Sequence, residues 1–160
     1  MVTASSDYTA TLPRKRMGAA VLFTDGAGRA LLVEPVYKDY WEIVGGCVDE
    51  NESPRQAAIR EVKEELGKTV TPGRLLVVDW VPPRPGRTEG VMYVYDGDTL
   101  DELGIADIHL PPDELSSWAW CDQKQIEQRM SELLARRVIA ALRAKAEGTT
   151  FELENGFHVL

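Results

Sequence analysis

The sequence predicts an α/β domain in which helices pack on a mixed sheet. Short apolar runs bounded by Gly, Pro, Asn and Asp recur along the chain and read as strands. A strongly capped helix interrupts them, and a second, longer helical pattern follows. At 160 residues, with 44% hydrophobic and 28% charged residues, the chain can bury one proper core.

Residues 1–12 are polar and aperiodic, and are expected to form a loose arm. The domain then spans 13–148, opening on the basic cluster Pro13, Arg14, Lys15, Arg16. Residues 17–24 and 30–36 read as strands joined by the turn Asp25-Gly26-Ala27-Gly28. A third strand, 40–44, leads into Gly45-Gly46, where a bare backbone can turn tightly and approach a ligand. Trp41 is expected to pack rather than to stack on a base.

The next segment has the clearest local chemistry. Ser53 is an N-cap, Pro54 stands at the first helical position, Gln56 completes a capping box, and Gly67 supplies the left-handed stop. A helix over Pro54–Leu66 follows. At about 100° per residue, Glu61, Glu64 and Glu65 share one face, bordering an apolar wedge of Ala58, Ile59, Val62 and Leu66. Ala57 falls among the glutamates, where its small side chain would leave room for a ligand. Like charges at this spacing repel. Hard carboxylate oxygens suit Mg²⁺ or Mn²⁺, which would relieve that repulsion.

Beyond the helix, residues 74–81 and 90–95 read as a strand pair around the stiff loop Pro82-Pro83-Arg84-Pro85-Gly86-Arg87. Residues 96–110 read as an acidic loop, and 116–121, with alternating tryptophans, as a strand. One helix is expected over 123–146. The tail, 149–160, carries Asn155-Gly156, a strong hairpin signal. It would be either an added strand pair or an arm docking on a second subunit in a homodimer.

A net charge of −8 argues against a nucleic-acid polymer as the main partner. It allows a small nucleotide whose phosphates arrive neutralised by metal. No apolar run is long enough to span a membrane, and no secretory signal is expected at the N-terminus. Cys47 and Cys121 form no CxxC pair and suggest a reducing, cytoplasmic setting.

The spacing from Gly46 through Glu52, Arg60-Glu61, Val62 and Glu64-Glu65 to Gly67 resembles the Nudix hydrolase signature, G-x5-E-x7-R-E-U-x-E-E-x-G-U, with U a bulky aliphatic. Every charged and glycine position matches. Lys68 replaces the last aliphatic, and Val44 stands where the family often has proline. The resemblance implies an α/β/α sandwich with the signature loop and helix at its edge. It also implies a metal-dependent hydrolase that splits the pyrophosphate linkage of a nucleoside diphosphate joined to another moiety. Such substrates include a nucleoside triphosphate, an oxidised nucleotide, a nucleotide sugar and ADP-ribose.

By the same resemblance, Glu61, Glu64, Glu65, Glu52 and the Gly45 carbonyl are the expected metal ligands. Glu61, Glu64 and Arg60 form the catalytic set, with Arg60 placed one turn before Glu64 to hold its carboxylate. The family often draws a further acid from a loop late in the chain, for which Asp98 and Glu102 are the candidates. Arg84 and Arg87 are candidate substrate contacts. A non-catalytic ligand sensor on this fold would usually lose signature glutamates. An isomerase would call for a nucleophilic cysteine and a further acid.

Overall fold

The computed structural model describes residues 4–159. It opens with α1 (Ala4–Thr11), so most of the stretch expected to be a loose arm is helical. β1 (Arg16–Thr24) and β2 (Ala30–Pro35) pair antiparallel. In the turn between them the Asp25 carboxylate accepts from the N–H groups of Ala27 and Arg29.

The third strand departs from expectation. Residues 40–43 contribute only an isolated bridge from Glu42 to Val33, whereas β3 (Val44–Cys47) runs through the two glycines. It can do so because those residues lie hard against β1. A Cβ on Gly45 would sit 2.5 Å from the Ala19 carbonyl oxygen and 2.6 Å from the Ala20 Cα.

α2 (Pro54–Leu66) has the expected bounds and both expected caps. The Ser53 side chain accepts from the Gln56 N–H at 3.1 Å, and the Gln56 side chain accepts from the Ser53 N–H at 2.9 Å. Gly67 adopts φ 71° and donates to the Lys63 carbonyl. Lys68, the departure from the signature, donates to the Gly104 carbonyl at 2.8 Å, so its amine ties two segments where an aliphatic would only pack.

β4 (Leu75–Val81) pairs antiparallel with β5 (Gly90–Thr99). β5 is longer than its apolar run because parallel pairing with β1 continues through Asp96 and Thr99. The rest of the expected acidic loop contains α3 (Glu102–Ala106), N-capped by Asp101. β6 (Leu115–Cys121) then pairs with β2.

The single helix expected over 123–146 is two, α4 (Gln123–Arg129) and α5 (Glu132–Glu147). Met130 is extended, and the Ser131 hydroxyl accepts from the Leu134 N–H to start α5 afresh. Apolar periodicity carries across the break and hides it, while Ser131 is the signal that marks it. β7 (Phe151–Glu154) and β8 (Phe157–His158) form the expected hairpin, with φ 54° at Asn155 and 79° at Gly156. β7 lies parallel to β4, so the tail extends the chain's own sheet.

The strand order is β6-β2-β1-β5-β4-β7-β8, with β3 beside β1 and off this path. α2 covers one face over Val21, Phe23, Leu31 and Val44. α4 and α5 cover the other over Leu22, Leu32, Leu76 and Val94. Ala135, Ala140, Ala141 and Ala144 are buried on α5, and their small side chains let it lie close to the sheet. Trp41 packs against this second core with the Arg129 guanidinium 4.6 Å from its ring centre. Trp118 and Trp120 meet edge to face at 5.9 Å beside the first.

One edge of β1 changes partner along its length. Gly18–Val21 faces β3, whereas Thr24 faces β2. The sheet is therefore forked at this point, and the fork opens the route between the two helical layers.

Candidate functional site

A cleft of about 520 Å³ lies at the fork. Gly45, Gly46 and Ala20 contribute backbone to it, while Glu61, Glu64 and Glu65 come from α2. The inward arc of this helix is wider than its apolar residues suggest. Ala57 is fully buried in the core, so the small side chain expected to leave room for a ligand instead packs under the helix. Glu61 and Glu65 lie between Ala57 and Val62 in helical angle and point inward, whereas Glu64 remains exposed.

Glu61 rests on Gly46, where a Cβ would fall 2.4 Å from Glu61 Oε1 and 2.5 Å from its carboxyl carbon. This gives the second glycine of the pair its physical reason. Gly45 acts differently, its backbone N–H favouring the charged form of the Glu65 carboxylate.

Arg60 is the hub on the outer side of the helix. It donates to both Glu52 oxygens at 3.1 and 3.2 Å, to Glu61 at 2.8 Å, to Glu64 at 3.2 Å and to the Cys47 carbonyl at 2.9 Å. Burial opposes its charge, but the hydrogen bonds it donates to Glu52 and Glu61 outweigh that and raise its pKa further. Glu52 and Arg60 are not among the cleft-lining residues. They brace the loop and orient two of the carboxylates.

The electrostatics single out Glu65. Burial first, and then the charge of Glu61, push its carboxyl pKa up to about 9, against the opposing Gly45 N–H. Glu42 and Glu114 add repulsion in the same direction. Glu65 has no ion-pair partner among the described residues. Burial also raises Glu61, and the Arg60 contacts offset only part of that.

Three carboxylates facing one cleft, with the most buried of them surrounded by like charge, form a hard-oxygen donor set that suits a divalent cation. Among the described residues no three His, Cys, Asp or Glu side chains already converge as a metal cage. Instead Arg60 supplies positive charge to two of the carboxylates.

Among the other expected site residues, Arg87 lines the cleft but Arg84 does not. Asp98 and Glu102 also lie outside the lining. Asp98 sits at the end of β5 with φ 71°, its carboxylate accepting from the Thr99 N–H, and Glu102 opens α3. The acid that does line the cleft from late in the chain is Glu114, in the Pro111-Pro112-Asp113-Glu114 stretch, which has no motif spacing to mark it.

Lys38 also escaped the sequence reading. It pairs with Glu42 and lies over the Tyr37 and Tyr40 rings. Arg16, from the basic cluster, reaches the lining while held by Thr88. Arg137 of α5 lines it as well.

The Nudix domain model matches residues 14–142, and the chain belongs to the Nudix family. It is 34% identical over 68 residues to the RNA pyrophosphohydrolase of Hydrogenovibrio crunogenus (strain DSM 25203 / XCL-2), a stretch covering 41% of each chain. It is 30% identical over 115 residues to the CTP pyrophosphohydrolase of Escherichia coli (strain K12), covering 69% of this chain and 77% of that one. The chain thus spans less than half the length of the first relative and about three quarters of the second. Among solved structures, the MutT protein from Methanosarcina mazei Go1 has a TM-score of 0.67 at 21% identity, over 86% of this chain and 99% of that one. That likeness bears on the fold alone.

Proposed function

We propose that this chain is a Mg²⁺- or Mn²⁺-dependent hydrolase of the P–O–P bridge in small nucleotides, in which a nucleoside diphosphate is joined to another moiety. The observation that carries this is that Glu61, Glu64 and the half-buried, charge-crowded Glu65 all line one cleft. Glu61, Glu64 and Glu65 would hold the cation, with the Gly45 carbonyl as a further donor; Glu52, expected as a ligand, lies off the cleft lining with both oxygens on Arg60 and would act by bracing it. A bound divalent cation neutralises phosphate charge and makes water more acidic.

The chain's own groups do the remaining work. Arg60 holds Glu61 and Glu64 at fixed angles, so the carboxylates need little reorganisation when substrate arrives. A glutamate of this set accepts the proton of the attacking water. Arg16, Arg87 and Lys38 face the cleft and draw in substrate phosphates. The expected domain spans 13–148, and the hairpin braces it from outside. We place the enzyme in the cytoplasm on its two free thiols.

The test is a panel of nucleoside triphosphates, oxidised nucleotides, nucleotide sugars and ADP-ribose with Mg²⁺ and phosphate detection. CTP and RNA belong on it, because the two curated relatives are named for them. Glu64→Gln should remove most turnover and leave the fold intact. A variant as fast as its parent would overturn the assignment of Glu64. Silence across the panel while Mg²⁺ binds is the result a ligand sensor would give.

A further inference from the structure

Arg137 is a charged residue on the inner face of α5. It is buried, yet it lines the cleft between Leu134 and Val138, with 10% of its side chain exposed. Its Nε donates to Asp79 Oδ2 at 2.7 Å, and Asp79 is fully buried in β4. The other Asp79 oxygen accepts from the Gly156 N–H at 3.0 Å. Arg136, next along, donates to the Asn155 carbonyl at 2.8 Å and stacks on Phe157. The C-terminal turn is therefore clamped to α5 and β4, and it holds Asp79 behind Arg137.

This arrangement sets what Arg137 can recognise. Its charge is already matched by the fully buried Asp79, so it offers little net attraction to a further phosphate. Its Nε is occupied, which leaves the two terminal nitrogens as a planar fork of donors. The wall around it, Leu134, Val138 and Met92, is apolar. A fork of donors in an apolar wall fits the edge of a flat, neutral ring bearing two adjacent acceptors. Guanine offers O6 and N7, and cytosine offers O2 and N3. Adenine and uracil interpose a donor on the corresponding edges.

We propose that Arg137, fixed from behind by Asp79 and the C-terminal hairpin, reads the substrate's base and selects guanine or cytosine over adenine and uracil. This rests on the nucleotide reading given above. The phosphates lie toward the α2 glutamates, and the base reaches the α5 side through the fork in the sheet.

The experiment is calorimetric titration of GMP, CMP, AMP and UMP into the full chain in EDTA, where turnover plays no part. GMP or CMP should bind about tenfold or more tighter than AMP and UMP, the discrimination expected of a bidentate fork. Arg137→Lys keeps the charge opposite Asp79 and loses the fork, so it should reduce that ratio to about twofold or less. The double variant Asp79→Asn/Arg137→Gln replaces the ion pair by a neutral one and should do the same, with folding checked by melting temperature.

Equal binding of all four nucleotides, or a preference for AMP or UMP, overturns the proposal. So does a preference that survives in either folded variant. An equal loss of affinity for inorganic pyrophosphate and for the preferred nucleotide would make Arg137 an anion site and overturn it as well. Base preference without hydrolysis would retain this inference and remove the hydrolase reading. Hydrolysis without base preference would do the reverse.

Discussion

Replacing Gly45 and Gly46 by alanine, one at a time, should produce two different failures. At Gly45 the new methyl would meet backbone, 2.5 Å from the Ala19 carbonyl oxygen and 2.6 Å from the Ala20 Cα. Neither atom can move without breaking the β1–β3 ladder. Overpacking of this kind costs about 3 kcal/mol at the upper end of its usual range. For a chain of this size that lowers Tm by roughly 6–12 °C.

At Gly46 the methyl would meet only the Glu61 carboxylate, 2.4 Å from Oε1, where ordinary contact begins at 3.4 Å. The carboxylate must retreat by about 1 Å, and a flexible side chain can do this cheaply. The unfolded chain also loses freedom, worth about 0.4–1 kcal/mol in favour of the fold. Gly46→Ala should therefore melt near its parent. A misplacement of about 1 Å at a reacting group costs on the order of 10²-fold in rate, so kcat should fall by that much with KM little changed. Differential scanning fluorimetry and steady-state kinetics on the two variants decide it. A Gly46→Ala enzyme with parental kcat, or one that melts as early as Gly45→Ala, would refute the reasoning.

Further outcomes follow from the same structure. Arg60→Ala leaves Glu52, Glu61 and Glu64 without their shared cation, so the metal-free protein should lose about 1–3 kcal/mol, recovered in part by added Mg²⁺; denaturant melts with and without Mg²⁺ measure this. Asp79→Ala leaves the buried Arg137 without its partner and the Gly156 N–H without its acceptor, and should cost about 3–5 kcal/mol, read as an earlier urea midpoint. Burial raises the Cys121 thiol pKa, which keeps thiolate scarce in the fold, while Cys47 is exposed. Iodoacetamide at pH 8 should label Cys47 in the native protein and reach Cys121 only after denaturation, as peptide mass spectrometry would show.

The Pro54–Leu66 helix was legible to the residue because its start and stop are local: one hydroxyl, one amide, one proline and one glycine. The hairpin at Asn155-Gly156 was legible for the same reason, although which sheet it would join was not. The signature spacing picked out Gly46, Glu52, Arg60, Glu61, Glu64 and Glu65, and the family resemblance added Gly45; all of these line the cleft except Glu52 and Arg60. The spacing was silent on Glu114, because nothing in the adjacent sequence encodes proximity to Glu65. Asp79 did leave a trace, as the lone charge in the apolar run Leu75–Val81, whereas Arg137 stands beside Arg136 and gives no such signal; neither shows its partner until β4 and α5 are packed together.

Local sequence set the capped helix, its glutamates, most of the strand runs and the family, since each depends on neighbours within a few turns of chain; the third strand, expected over 40–44, was the exception. Tertiary structure alone decided which helix face is inward, because burial is a property of the sheet beneath it. It placed Ala57 under the helix, crowded Glu65 among like charges and divided the last long helix at Ser131. It also forked the sheet at β1, bringing groups from both helical layers into one cleft, a proximity that exists only once the strands are paired.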